Sequence, residues 1–578
     1  MLLVCPAASA QPPADTTGVT GEIKADAPAA TPPGPSPWRA ADLPGRSGSS
    51  VMTPTVLAAS DHPLATEAAI ATLRGGGNAA DAAVAALAAL SVVRPDAVSP
   101  GGDVAVIYWD AKTGQPAGLN AVGRLPASYS PQAAPAAGTA TVDRDVPHPP
   151  GDRAASDAEG SGRWTVPGAV DGWWELHARF GKRPWDELLQ PAVRLAREGA
   201  PVSAAAAAAW KSADEATRSA LGATGEAPPA VGTRVRNEAL AATLEAIADG
   251  GRAVFYEGDL ARNLVAASGG RLTPEDLSAQ HGRWVDPIST EYRGRRVWRL
   301  PPGSRGVATL QTLNLLSAYD VAKMGRGTPA FLHLLLEARR LSAADARLKV
   351  CESTRMTGDV GLMLTPEYSG ELRRKIDPNN AAALATSQPP ESACGVVIVD
   401  ADGNVCCGVC GLGRPFGASP AAGMGFQMQD GLSRFAGDGC DLPAAGAAPS
   451  HDLGVTIVSQ DGSPVFALAA TGAGGSESVT DQVLLSLIDF GSDLQDAVDR
   501  PRVRPAAPSG DNATPGRGVV LIGPGVDAAT AEELRKRGHE VQPVEGAALG
   551  SVVVIELLPD GVRAAAVDPR SDAAAGGF

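Results

Sequence analysis

The sequence predicts an α+β chain in which two β-sheets are sandwiched between layers of helix. Three observations carry this. The chain is long, with 578 residues, and its apolar residues (44%) include few aromatics (4%). Such a length calls for two or more intimately packed lobes, and small apolar side chains allow helices and strands to approach closely. Helical patterns dominate residues 167–350, with a strand-like interruption near STEYRGRRVWRLP. From about residue 392 the texture changes to short apolar runs joined by Asp-Gly turns, which read as hairpins. Two sheets between helix layers accommodate that order.

The elements follow from local chemistry. VMTPTVLAAS, at 51–60, reads as a strand. His62-Pro63 opens a helix, with Pro in the first turn, where its missing N–H costs little. Gly75-Gly76-Gly77 ends that helix, and Asn78 caps the next, AADAAVAALAALSVV, which is apolar on nearly every face and so buried. DVAVIYWDAKTGQPAGLNAVG reads as a hairpin turning at Lys112-Thr113-Gly114. Residues 131–162 are polar and Pro-rich, a loop composition. GVVIVDADGNVCCGV and GVTIVSQDGSPVFALAA are hairpins, and the Gly-rich elbow TGAGGSES leads into the helix VTDQVLLSLIDFG. Strand VVLIG, helix AATAEELRKRG and the hairpin SVVVIELLPDGVRAAAVDPR complete the chain.

Residues 1–10 (MLLVCPAASA) resemble the end of a secretory signal, with Ala8-Ser9-Ala10 as a small-residue cleavage site, although a positive n-region is missing. Cys5 as a lipidated Cys is an alternative. Residues 11–48 have the composition of a disordered tether. The expected location is the periplasm or outside the cell, and otherwise the cytoplasm. A net charge of −15 without a basic run argues against nucleic-acid binding, and no later run is long and apolar enough to span a bilayer. Of seven cysteines, Cys394, Cys406, Cys407 and Cys410 cluster. A two-residue turn at Asp402-Gly403 puts Cys406 and Cys410 on one face and Cys394 and Cys407 on the other. That splits any four-thiolate zinc site and favours buried thiols acting as small hydrophobes. The odd total leaves at least one thiol unpaired or intermolecular. The seven His residues make no ligand-spaced pair, and Glu175 and His177 in WWELH form no zinc-protease motif. No metal or cofactor is expected.

An ordered set of segments resembles the γ-glutamyltransferase family. It begins with HPLATEAAIATLRGGGNAADAAVAA and VPGAVDGWWELHARFGKRPWDELLQPAVRLAREGAPVS. FYEGDLARNL, LTPEDL and YRGRRVWRLPP follow, then VDADGN, TGAGGSES, DAVDRPRVR and AAAVDPRSDAAAGGF. The match runs from about residue 53 to the end. The resemblance implies the four-layer αββα fold of the N-terminal nucleophile hydrolases. It also implies self-cleavage near residue 391, dividing a large-subunit-like region (49–391) from a small-subunit-like region (392–578), which after cleavage would form a heterodimer. The freed N-terminal Thr of the family acts as nucleophile on a γ-glutamyl amide, with its own amine as base and a Gly-Gly pair as oxyanion hole. A small-molecule amide or peptide is then the expected substrate.

Each site position departs from or keeps that pattern. Counting back from Asp402-Gly403 without a gap puts Ala393 at the nucleophile position, and a methyl group cannot attack a carbonyl. Ser392 and Cys394 flank it; Ser392 would need a bulge, because a one-residue slip turns a strand side chain to the other face. The family's supporting Thr and Asn fall on Gly411 and Gly413. Its ammonium-holding Asp falls on Arg434, which would repel an ammonium; the alternative is a surface Arg paired with Asp430. Its Ser-Ser pair falls on His451-Asp452. Gly474-Gly475 match the oxyanion glycines, or else only make a tight strand-to-helix turn. Arg124, in NAVGRLP, matches the carboxylate-binding Arg of some members, and the gap-free alternative puts Val122 there. The loss of nucleophile, support and anchor together predicts an impaired or inactive member; the alternative is an active amidase or acyltransferase of altered acyl specificity using Ser392 or Cys394.

Overall fold

A computed structural model describes residues 50–130, 161–382, 391–437, 439–472, 475–506 and 519–578. The signal-like residues 1–10, the tether 11–48, most of the 131–162 loop and Gly474 lie outside them.

Two seven-stranded sheets form the middle of the molecule. Sheet I runs in the order Ala574–Gly577, Leu57–Ser60, Ala393–Val399, Val405–Gly411, Asp103–Asp110, Gln115–Ala121, Arg283–Val285. Sheet II runs Val51–Thr53, Arg563–Val567, Ser551–Leu557, Ser463–Thr471, Gly454–Gln460, Arg295–Arg299, Ile288–Tyr292. Every pairing within both sheets is antiparallel.

Three apolar layers show how the sheets stack. Between them lie small and branched side chains, among them Ala105, Ile107, Val397 and Val409 of sheet I and Val455, Ile457, Ala467 and Val553 of sheet II. The sheets come very close beside the site: a Cβ on Gly395 would stand 2.6 Å from that of Ala469. The outer face of sheet I packs on the helices Pro63–Arg74, Ala79–Val93, Ala169–Phe180, Trp185–Glu198 and Glu238–Tyr256. The outer face of sheet II packs on Val307–Leu316, Pro329–Lys349 and Ser476–Ile488. This is the αββα sandwich.

The helix Ala79–Val93 is buried at every position except Val92. Asn78 starts it with a capping box, accepting from Asp81 N while the Asp81 carboxylate accepts from Asn78 N.

Local readings needed correction where the chain changes layers. Residues 51–60 are not one strand: Pro54 interrupts them, so Val51–Thr53 joins sheet II and Leu57–Ser60 joins sheet I. The interruption near residue 290 is a complete hairpin, Ile288–Tyr292 with Arg295–Arg299. The cysteine faces also change. Val399 pairs with Val405, so the connection holds five residues rather than two, and Cys394 stands opposite Cys410. An odd-length connection shifts the parity of the alternation. Cys394, Cys406 and Cys410 therefore share the helix-side core, and Cys407 lies between the sheets.

Candidate active site

The site region lies where Ala393–Val399 and Val405–Gly411 begin and end side by side, against sheet II. Ala393 pairs with Gly411, and the ladder runs to Val399–Val405 without a register break. It continues outward, with Leu412 N donating to Ser392 O at 2.9 Å and Ser392 N to Gly413 O at 3.2 Å. The bulge that Ser392 would need is not there. Ala393 sits in the layer between the sheets, 9% exposed. Ser392 turns away, and its Oγ donates to Asp96 O at 3.0 Å. Cys394 is fully buried on the helix side, and burial pushes its thiol well above the usual range, so a thiolate there is disfavoured.

Arg434 is the centre of the region. The surface alternative for it is wrong: it is 1% exposed, and Asp430 pairs instead with Arg163 at 2.9 Å and Arg414 at 3.2 Å. Arg434 Nη2 donates to Glu391 Oε1 at 2.6 Å, and Nη1 to Gln429 Oε1 at 2.9 Å and to Asp103. Asp103 Oδ1 also accepts from Gly123 N and Gln429 Nε2, each at 2.9 Å. Burial pushes Asp103 up to about 6, against the pull of Arg434. Sequence reasoning missed Glu391, Gln429 and Asp103. Glu391 stands directly before the expected cleavage region, and that was the available signal.

Gly411 leaves the space that Glu391 fills. A Cβ at Gly411 would lie 2.5 Å from Glu391 Oε1, and Gly413 N donates to that same oxygen at 3.2 Å. Gly413 also has φ +81, in the left-handed region that favours glycine.

His451 and Asp452 lie beside this cluster. Arg305 links the two, its N donating to His451 O at 3.0 Å and its Nη2 to Arg434 O at 3.2 Å. His451 Nδ1 accepts from Leu453 N at 3.3 Å, so the proton of the neutral ring sits on Nε2, and that atom has no partner. Burial, then the nearby arginines, lowers His451 to about 3. Both carboxylate oxygens of Asp452 lack a hydrogen-bond partner, and burial pushes this carboxyl up. Ser476 Oγ donates to the Asp452 carbonyl at 2.9 Å. Gly475 precedes the helix Ser476–Ile488, and its N–H donates to Gly472 O at 3.1 Å.

Arg124 is committed elsewhere. It pairs with Glu352 and donates from Nη1 to Gly446 O at 2.9 Å. Val122 is buried between the sheets. Cys351, next to Glu352, forms a disulfide with Cys440, joining the large-subunit-like and small-subunit-like regions across the expected cleavage point. The four clustered cysteines are free and buried.

The tertiary structure brings two groups to metal-binding distance. His333, Glu337 and His539 present ligand atoms within 4.8 Å of one another, which corrects the expectation of no ligand-spaced His pair. Their hydrogen bonds are already assigned. His333 Nε2 donates to Asp377 O at 2.8 Å, so its Nδ1 accepts from His539 Nε2 at 2.8 Å, and His539 Nδ1 accepts from Arg340 at 3.2 Å. A metal on His539 Nε2 would force a proton onto Nδ1, against that guanidinium. The second group is Asp171, Glu175 and His281. There Asp171 is paired with Arg252 at 2.5 Å, and Glu175 accepts from Trp284 Nε1 at 3.1 Å.

Residues 65–578 match the family described as Gamma-glutamyltranspeptidase. The chain belongs to that family. The glutathione hydrolase-like YwrD proenzyme of Bacillus subtilis is 30% identical over 550 residues, spanning 92% of this chain and 99% of its own. The acylase ACY 1 proenzyme of Pseudomonas sp. (strain SE83) is 31% identical over 535 residues, 89% of this chain and 91% of its own. Among solved structures, the cephalosporin acylase from Bacillus halodurans superposes with TM-score 0.81 at 29% identity, covering 93% of this chain and 98% of that one. The gamma-glutamyltranspeptidase relatives thus include both glutathione hydrolases and acylases. Among the described residues no helix is long and apolar enough to cross a membrane.

Proposed function

We propose that this member of the family neither cuts itself nor transfers γ-glutamyl groups, and that it persists as one uncut chain with its site rebuilt as an ion-paired core. The observation that supports this reading is the unbroken register from Ala393 to Val399, which contains no bulge to bring the Ser392 hydroxyl into the layer between the sheets. Gly411 and Gly413 supply no side-chain hydroxyl or amide beside Ala393. Arg434, where the family holds an ammonium, is a buried cation bound to two carboxylates. Ser392 and Cys394 are poor substitutes, the first hydrogen-bonded to Asp96 O and the second a buried neutral thiol.

The second reading, an amidase or acyltransferase of altered acyl specificity, takes its support from the names of the relatives, which include acylases. Intact-mass analysis after reduction separates the two. A single mass for the whole chain, with no hydrolysis of a γ-glutamyl anilide or a cephalosporin side-chain amide, is the expected result. Two fragments meeting near residue 391, or hydrolysis that Ser392→Ala abolishes, would establish the second. Placing Thr at position 393 is expected to leave the chain whole, because the supporting side chains stay absent. The Cys351–Cys440 disulfide supports an oxidising, exported location.

A further inference from the structure

The Glu391 side chain is held like a bound ligand. It belongs to no helix or strand, since the ladder begins at Ala393. Its Oε1 receives one charged donor, Arg434 Nη2, and one backbone donor, Gly413 N. The space around that oxygen exists because residue 411 has no Cβ, and a methyl there would come within 2.5 Å. An arginine fork, a backbone N–H and a side-chain-free strand edge together make a carboxylate cradle.

The surroundings suit an anion. His451 Nε2–H is a buried donor without a partner, and Arg434 is close enough to help lower that ring's basicity. On the side of Gly413, the partly exposed Arg163 and Arg414 both pair with Asp430. Asp103 and Gln429 hold the other arm of Arg434 and fix the fork whether or not Glu391 is present.

We propose that Arg434 is a carboxylate-binding site occupied by the chain's own Glu391, and that small carboxylates bind there by displacing that side chain. This deepens the silent-site reading by naming what the rebuilt site holds, and it rests on that reading for the claim that binding leads to no chemistry. The carboxylate specificity comes from three elements: the guanidinium supplies charge and direction, Gly413 N supplies a second donor, and Gly411 supplies room. A ligand bearing an ammonium in place of the carboxylate is repelled.

The test uses the whole chain. Glu391→Ala removes the atoms of one acetate. Its melting temperature is expected to rise saturably with acetate, at ionic strength held constant with chloride, and not with the neutral isostere acetamide. Wild-type protein should need about tenfold more acetate or more for the same shift, since Glu391 competes from within the chain. Adding Arg434→Met to the Ala variant should abolish the acetate response. Equal responses to acetate and acetamide would overturn the proposal, as would an undiminished response in the double variant or a wild-type response as strong as that of Glu391→Ala. If the Ala variant folds only poorly, its refolding yield replaces the melt: a higher yield with acetate than with acetamide supports the site, and equal yields overturn it. Fragments in the mass measurement would defeat the silent-site reading while leaving this binding result intact, so the two failures are distinguishable.

Discussion

The buried charges around Arg434 and those around Asp452 are neighbours, linked through Arg305, yet they are built in opposite ways. In the first, Arg434 meets two carboxylates and an amide oxygen, and Asp103 Oδ1 takes two further donors. In the second, both Asp452 carboxylate oxygens and His451 Nε2 have no hydrogen-bond partner, although the nearby Ser476 hydroxyl and then Arg339, Arg299 and Arg305 favour the Asp452 charge against its burial. Desolvating a charge is costly unless direct hydrogen bonds replace water. The Arg434 cluster meets that condition at both carboxylates and at both terminal nitrogens of the guanidinium, leaving only Arg434 Nε without a partner, so its members depend on one another. The Asp452 cluster does not, so its members can be changed singly at little cost.

Mutation should expose the contrast. The largest effect is expected from Arg434→Met, which leaves Asp103 and Glu391 buried without their cation; a loss of about 3–5 kcal/mol in urea unfolding is expected. A loss below about 1 kcal/mol would mean that the cluster is not mutually dependent. Replacing Cys351 and Cys440 with Ser comes next, at about 2–4 kcal/mol, because that bridge closes a long loop between the two regions. The same bridge predicts that fragments of any cleaved population would separate on a gel only after reduction.

A smaller effect concerns pH. His451 falls from 6.5 to about 3 on folding, so the unfolded chain takes up a proton below pH 6.5 while the folded one does not. Its contribution is complete above pH 6.5 and is lost as pH falls toward 3. Lowering the pH from 7.5 to 5.5 should cost about 1.4 kcal/mol at this residue. His62, at about 4, and His539, at about 3, act with the same sign. Asp103, raised from 3.8 to about 6, acts oppositely: its contribution is present below 3.8 and is lost as pH rises through 6. His451→Asn should flatten the acid limb of the stability curve by about that 1.4 kcal/mol, measured by thermal melts across the range. An unchanged slope would show that His451 is already charged. The smallest effect is expected from Asp452→Asn, which removes an unpartnered charge: stability should stay within about 1 kcal/mol of the parent or improve. A loss as large as that of Arg434→Met would erase the contrast between the clusters.

The scaffold was largely legible because its rules are local. The Asn78 cap, the alternation in DVAVIYWD and the Asp-Gly connections each depend on residues close together in the chain, and the Ala393 register follows from counting along one hairpin. The five-residue connection was harder to read, because Asp400 and Asn404 pair across it and shift the parity that assigns the cysteine faces. Arg434 was readable as a cation at an altered position, but its partners were not.

The sequence by itself determined most of the elements, the family and the absence of a hydroxyl at residue 393, since these depend on residue identity and short-range pattern. Only the tertiary structure decided what the altered positions became. Glu391 and Arg434 are 43 residues apart and Arg434 and Asp103 are 331 apart, as are His333 and His539 at 206 and Cys351 and Cys440 at 89. Ion pairs and disulfides depend on distance in space, and a chain folded into four layers sets those distances by how its sheets stack rather than by its order.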